Sequence, residues 1–224
     1  MDPVIKCIRL NSINDFLALD PETFKDNVYS YLKMCAVYGR FDMAKILCTY
    51  AYNINWNFLM RLAVASNQLE MVGLFIENGA NVSYLDNHAV KIACCNGFYP
   101  MLEYLLDKGA NITVANNYCV QVAAGNGFTN IIELLIKHGA DICANNNHAL
   151  WWAHINGHNE TVKYLIDRGA NQSRIENIAP TQKYITKIKT GETSFWLERK
   201  IHGHNLPLKK QGNSCDTQKL VYEH

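Results

Sequence analysis

An all-α stack of repeated helix pairs is the fold class this sequence predicts, and three observations carry the prediction. A Gly-Ala-Asn/Asp tripeptide returns every thirty residues, as Gly79-Ala80-Asn81, Gly109-Ala110-Asn111, Gly139-Ala140-Asp141 and Gly169-Ala170-Asn171. An alanine column runs in the same register through Ala63, Ala93, Ala123 and Ala153. Apolar residues recur at helical spacing in two blocks per period, each block closed by glycine or asparagine. Such a period marks a chain built of small units that bury their apolar faces only against one another.

Each repeat reads as helix, sharp turn, helix, short loop. The first helix follows a recurring asparagine, Asn57, Asn87, Asn117 or Asn147. That side chain suits an N-cap, because it accepts from the first unpaired amides of a helix. The apolar column is Leu62, Ile92, Val122 and Trp152, followed by the alanines, whose small size lets neighbouring repeats approach. The reversal is Asn96-Gly97, Asn126-Gly127 or Asn156-Gly157, with Ser66-Asn67 one repeat earlier. It suits a left-handed C-cap. The second helix carries Val72, Leu102, Ile132 and Val162, then Phe75-Ile76, Leu105-Leu106, Leu135-Ile136 and Leu165-Ile166, and stops at the tripeptide glycine. Lys108, His138 and Arg168 share one slot in its last turn, where a cation complements the helix dipole.

A worn repeat precedes these. Residues 29–53 align with 57–81 at a shift of 28, laying Phe41-Asp42-Met43-Ala44 over Leu69-Glu70-Met71-Val72. After Asn171 the register restarts at Asn177 and fails at Pro180 and Lys183. The expected organisation is an N-terminal cap over 1–26 and about five repeats across 27–175, near 29–53, 54–83, 84–113, 114–143 and 144–173. A C-terminal cap and a basic, partly ordered tail then fill 176–224, with Phe195-Trp196-Leu197 docking on the last helix pair.

The segments from Gly127 to Asp141 and from Gly157 to Asn171 resemble the second half of an ankyrin repeat. The resemblance covers residues 29–175 and recurs in four or five repeats. It implies an ankyrin-type solenoid of stacked antiparallel helix pairs. The family's repeat has 33 residues and opens its first helix with Thr-Pro-Leu-His. This chain's repeat has 30, and the matching segments read His88-Ala89-Val90-Lys91 and His148-Ala149-Leu150-Trp151. The three missing residues fall where the family projects a β-hairpin, so shortened inter-repeat loops are expected. The 30-residue variant is similar to ankyrin proteins encoded by giant DNA viruses that infect amoebae.

Composition narrows the function classes. The net charge of +1 argues against a general polyanion binder. Charge is uneven: residues 1–179 hold 13 Lys and Arg against 16 Asp and Glu, net −3, and residues 180–224 hold 8 against 4, net +4. The first residues lack the basic start and apolar run of a secretory signal, and no stretch reaches the ~20 apolar residues of a membrane span. The eight cysteines fall irregularly, and Cys35, Cys94 and Cys119 take small-residue slots. They read as reduced, packed thiols of a cytoplasmic protein (host cytoplasm for a viral source). The sequons at Asn81, Asn111, Asn159 and Asn171 are expected to stay unmodified there.

Catalytic and ligand-binding patterns fare poorly. His148, His154 and His158 lie close, and His202 and His204 follow, without the convergent set a metal needs. Gly125-Asn126-Gly127 lacks the strand and Lys-Ser/Thr of a phosphate loop. Cys94-Cys95 is not a Cys-x-x-Cys pair. No nucleophile triad or carboxylate pair stands out. The expectation is a protein that is not an enzyme, with no cofactor and no metal.

Three slots vary instead. The slot before the apolar column holds Arg61, Lys91, Gln121 and Trp151. The slot after the asparagine holds Phe58, His88, Tyr118 and His148. A third, late in the first helix, holds Ala65, Cys95, Gly125 and Ile155. Slots that swing from Lys to Trp are expected to escape packing constraints, and in a stack each becomes a ladder along one face. The resemblance implies that the first helix lines the concave binding face. The first two ladders are therefore the partner-binding candidates, with Trp151, Tyr118 and Arg61 as anchors. The competing reading tucks Trp151 against a neighbouring repeat or the tail.

The expected function is a monomeric protein–protein interaction module that binds a partner protein on the first-helix face, with no membrane or nucleic-acid partner. The alternative is a substrate adaptor recruiting modification machinery through its C-terminal segment. Some viral ankyrin proteins carry an F-box-like C-terminus, and Leu206-Pro207-Leu208 is a faint echo of one.

Overall fold

Two glycine-closed reversals per repeat set the architecture. At the first, the amides of Arg40, Gln68, Phe128 and His158 bond back to the carbonyls of Cys35, Ala63, Ala123 and Ala153 at 2.9–3.0 Å. At the second, the amides of Ala80, Ala110, Ala140 and Ala170 bond to Phe75, Leu105, Leu135 and Leu165 at 2.9–3.1 Å. Both are Schellman closures, which need a left-handed residue between the partners. Gly127 supplies it at φ 75° and Gly79 at φ 106°. Asn67 takes the conformation at φ 55° where the sequence offers no glycine.

The computed structural model describes residues 2–112 and 114–176. Among the described residues there are helices and no strand. They gather into two compact units, residues 2–93 with 98–111 and residues 94–97 with 112 and 114–176. The N-terminal unit starts with α1 (Pro3–Leu10), α2 (Ile13–Leu17) and α3 (Glu22–Lys25). Three helix pairs follow: α4 (Val28–Tyr38) with α5 (Phe41–Cys48), α6 (Trp56–Ala65) with α7 (Leu69–Glu77), and α8 (Tyr84–Asn96) with α9 (Tyr99–Asp107). The C-terminal unit holds α10 (Val114–Gly125) with α11 (Thr129–Lys137), α12 (Ala144–Ile155) with α13 (Asn159–Asp167), and the single turn α14 (Ser173–Glu176). The tail features at Pro180, Lys183, Phe195-Trp196-Leu197, His202, His204 and Leu206-Pro207-Leu208 lie outside the described residues.

In the N-terminal unit Asp2 caps α1 by accepting from the amides of Val4 and Ile5, and it also receives the Tyr31 hydroxyl at 2.6 Å. Arg40 Nε donates to the Ile8 carbonyl at 2.8 Å, so both ends of α1 are pinned to the first pair. Phe16 stacks on Phe24 with centroids 4.9 Å apart beneath them. Within both units the alanine column is fully buried, as are Val72, Leu102 and Ile132 of the second helices.

The recurring asparagines do not cap the first helices, a correction to the N-cap expectation. Asn55, not Asn57, caps α6 through the Phe58 amide. The Oδ1 atoms of Asn57, Asn87, Asn117 and Asn147 instead accept from the backbone amides of Asn81, Asn111, Asp141 and Asn171, at 2.7–3.0 Å. Each bond reaches 24 residues ahead and ties the start of a first helix to the end of its own second helix. The side chains of Asn81, Asp141 and Asn171 in turn accept from the amides two residues on, fixing the next loop. An amide that follows a C-cap is otherwise unpaired, so a side-chain acceptor is needed there.

The shortened loop takes an unusual form. Leu85, Asp86 and Asn87 are all left-handed (φ 49°, 57° and 57°), as are Asn145, Asn146 and Asn147 (φ 53°, 59° and 58°). Asparagine and aspartate tolerate this region because their short polar side chains bond locally. Three such residues turn the chain into the first helix in the space where a longer repeat would place a hairpin.

Candidate functional site

The slot after the asparagine and the slot before the apolar column are three residues apart, so they share one face of the first helix. In both units they also meet across repeats. Arg61 Nε donates to His88 Nδ1 at 3.1 Å in the N-terminal unit. Gln121 Oε1 and His148 Nδ1 lie 3.1 Å apart in the C-terminal unit. Both bridges span 27 residues, from one repeat's later slot to the next repeat's earlier one.

The N-terminal face is a chain of polar and aromatic contacts. Lys33 Nζ sits 5.0 Å over the Tyr29 ring, and Tyr29 meets Phe58 at 6.4 Å. Phe58 shares its face with Arg61, which bonds His88. His88 shares its face with Lys91, whose ammonium pairs with Asp86 at 2.9 Å. Burial lowers the His88 pKa below the ordinary imidazole value, and the Arg61 and Lys91 charges lower it further. A neutral ring leaves Nδ1 free to accept from Arg61.

The C-terminal face is packed rather than open. Gln121, His148 and Trp151 are each 8–9% exposed. His148 stacks on Trp151 with centroids 5.5 Å apart and also meets Trp152 at 6.0 Å. Trp151 meets Trp152 edge-on at 5.4 Å, and the Arg174 guanidinium lies 6.0 Å from the Trp151 ring. The expectation that these slots escape packing is therefore corrected for Gln121, His148 and Trp151, and Trp151 packs on His148 and Trp152 of its own repeat. Trp152, in the column expected to be buried, is half-buried. Tyr118 is 36% exposed, and Phe58, Arg61, His88 and Lys91 are half-buried.

The sequence reading missed Tyr29 and Lys33. A shift of 28 places Lys33 over Arg61, but the worn repeat hides the column. It also missed Asp86 and Arg174, which lie outside the ladders and reach them only in three dimensions.

Other candidate chemistry is absorbed by packing. The Gly125 carbonyl accepts from Asn156 Nδ2 at 2.7 Å and lies 3.0 Å from His158 Nε2. Gly125-Asn126-Gly127 is thus an interhelix turn. Burial pushes the Cys35 thiol up to about 12 and Cys48 to about 11, away from the thiolate form that a reactive cysteine needs. Among the described residues, no group of three or more His, Cys, Asp or Glu is placed to hold a metal ion. No described helix is long and apolar enough to cross a membrane.

Paired helices closed by repeated Schellman turns define a helical repeat protein. A family model described as ankyrin repeats (3 copies) matches residues 32–116 and 115–175, and the chain belongs to the ankyrin repeat family. Members of that family are generally protein–protein interaction modules. No curated protein matches the chain.

Proposed function

We propose that this chain is a non-catalytic module that binds a partner protein on its first-helix faces, working as a monomer in the cytoplasm of a cell. The observation that carries this reading is the contrast between columns. The alanine column (Ala63, Ala93, Ala123, Ala153), the asparagine column (Asn57, Asn87, Asn117, Asn147) and the Gly-Ala pairs repeat their residues from one repeat to the next. The slots at 58, 88, 118 and 148 hold Phe, His, Tyr and His, and those at 61, 91, 121 and 151 pass from cations (Arg, Lys) to Gln and Trp. Packing fixes the first kind, and partner recognition accounts for the variation at Phe58, Arg61, His88, Lys91 and Tyr118, which stay half-buried or exposed. The 30-residue period supports a viral source, which would place the partner in the host cytoplasm. Residues 1–26 act as a cap on the first repeat.

Proximity labelling with the full chain in its source cells tests the reading. A protein whose labelling falls when Arg61 and Tyr118 are changed to Ala supports it. A labelled set indifferent to every change on the first-helix face contradicts it.

A further inference from the structure

We infer that the first-helix face of the N-terminal unit recognises an acidic, extended peptide segment with carboxylates at every third position. The inference rests on the proposal that first-helix faces bind protein, and it states the chemistry of that partner.

Charge is sorted by helix in this unit. The first helices α4, α6 and α8 carry Lys33, Arg61 and Lys91 against the single acid Asp86. The second helices α5, α7 and α9 carry Asp42, Glu70, Glu77, Glu103 and Asp107 against Lys45 alone. The three cations of the first helices occupy one slot in successive repeats, at steps of 28 and 30 residues. Among the described residues Lys33 and Arg61 form no ion pair; Lys33 rests on Tyr29, and Arg61 donates to the neutral His88 ring. Their positive charge is therefore uncompensated by a local carboxylate. Lys33 meets Tyr29, Tyr29 meets Phe58 and Arg61 meets His88, while Phe58 with Arg61 and His88 with Lys91 lie three residues apart on one helix face.

Spacing selects the form of the partner. Neighbouring packed helices lie about 8–10 Å apart. A polyproline-II segment advances about 9 Å per turn of three residues, so side chains at i, i+3 and i+6 line one side at that spacing. Three carboxylates so placed would meet the three cations one for one. Tyr29 and Phe58 offer apolar surface between the first two. Asp86 holds Lys91 and competes with the third carboxylate.

Fluorescence anisotropy with the full chain tests this. The probe is a labelled peptide with three glutamates, one at every third position, and proline or alanine between them. Saturable binding is expected, weakening as salt rises from about 20 to about 150 mM. Lys33→Gln, Arg61→Gln and Lys91→Gln each weaken it by about two- to fivefold, as exposed ion pairs do. Asp86→Asn tightens it, and Lys137→Gln, a change in the C-terminal unit, leaves it unchanged. Lys33 and Lys91 do not touch the Arg61–His88 bond, so they carry the test if Arg61→Gln alters the fold by circular dichroism. The inference is overturned by absent binding at low salt, or by equal binding of a peptide with its three glutamates adjacent. Displacement of the probe by single-stranded RNA of equal charge at equal concentration also overturns it, in favour of nucleic acid. A native partner lost on Tyr118→Ala but kept in all three cation variants would sink this inference alone and leave the interaction-module reading standing.

Discussion

Arg61 and Trp151 occupy the same slot of two different repeats, one in each unit, and they end in different surroundings. Arg61 is a half-buried cation bonded to a neutral histidine. Trp151 is a buried indole stacked on a buried histidine. Two features of the framework around them are alike: both helices close through an Ala carbonyl at the reversal, and both repeats tie their ends with an asparagine. Framework bonds thus run through backbone and asparagine, while the face is decided by two side chains per repeat. One repeat fold supports a charged face in one unit and an aromatic, uncharged face in the other, since α10 and α12 carry no Asp, Glu, Lys or Arg.

The largest expected effect breaks the comparison at that slot. Trp151→Ala removes a buried indole and should cost about 3–5 kcal/mol, whereas Arg61→Ala should cost about 1 kcal/mol or less. Urea unfolding of the two variants measures both, and equal losses would mean that the faces are built alike after all. The asparagine ties come next. Asn147→Ala loses a hydrogen bond and forces alanine into the left-handed region, about 2–4 kcal/mol together. Asn57 is helical, so Asn57→Ala should cost only the bond, about 1–2 kcal/mol. Asn147→Gly should recover the difference in thermal melts. Gly127→Ala is expected to cost about 1–2 kcal/mol, because φ is 75° and the new methyl would lie 2.6 Å from His158 Nδ1. At Gly139 the surroundings are open, so the conformational cost alone applies there.

The smallest effect is a pH dependence that belongs to the N-terminal unit. The folded pKa of His88 lies below its unfolded value. Below the unfolded value, about 6.5, the unfolded chain binds the proton more readily, so the stability contributed by neutral His88 is present above that pH and lost as pH falls. Melting temperatures of the wild type should drop from pH 7 to pH 5 by more than those of His88→Gln. Identical pH profiles for the two proteins would show that folding does not lower the His88 pKa.

Much of the fold was legible because its determinants are local. Gly79 and Gly127 announce left-handed closures, and Ala63, Ala93, Ala123 and Ala153 announce close packing, whatever their neighbours do. The roles of Asn87 and Asn147 were not legible. An asparagine before a helix fits an N-cap equally well, and the amide it actually serves lies 24 residues away. The ladders were legible as columns but not as environments. His148 is buried because Trp151, Trp152 and Gln121 surround it, and no window of sequence centred on one repeat contains both Gln121 and His148. Lys33 was hidden by a change of period from 30 to 28.

The asparagine bond has a consequence for how such a chain grows. It starts and finishes within a single period, so a copied segment brings its own seal and leaves existing joints intact. The 27-residue bridges reach over a boundary, as do the Thr129–Thr161 contact and the bonds from Asn156 and His158 to the Gly125 carbonyl, and splicing in a copy re-pairs those side chains there. Length and surface can therefore change in separate steps, with the cost of each extension confined to one seam.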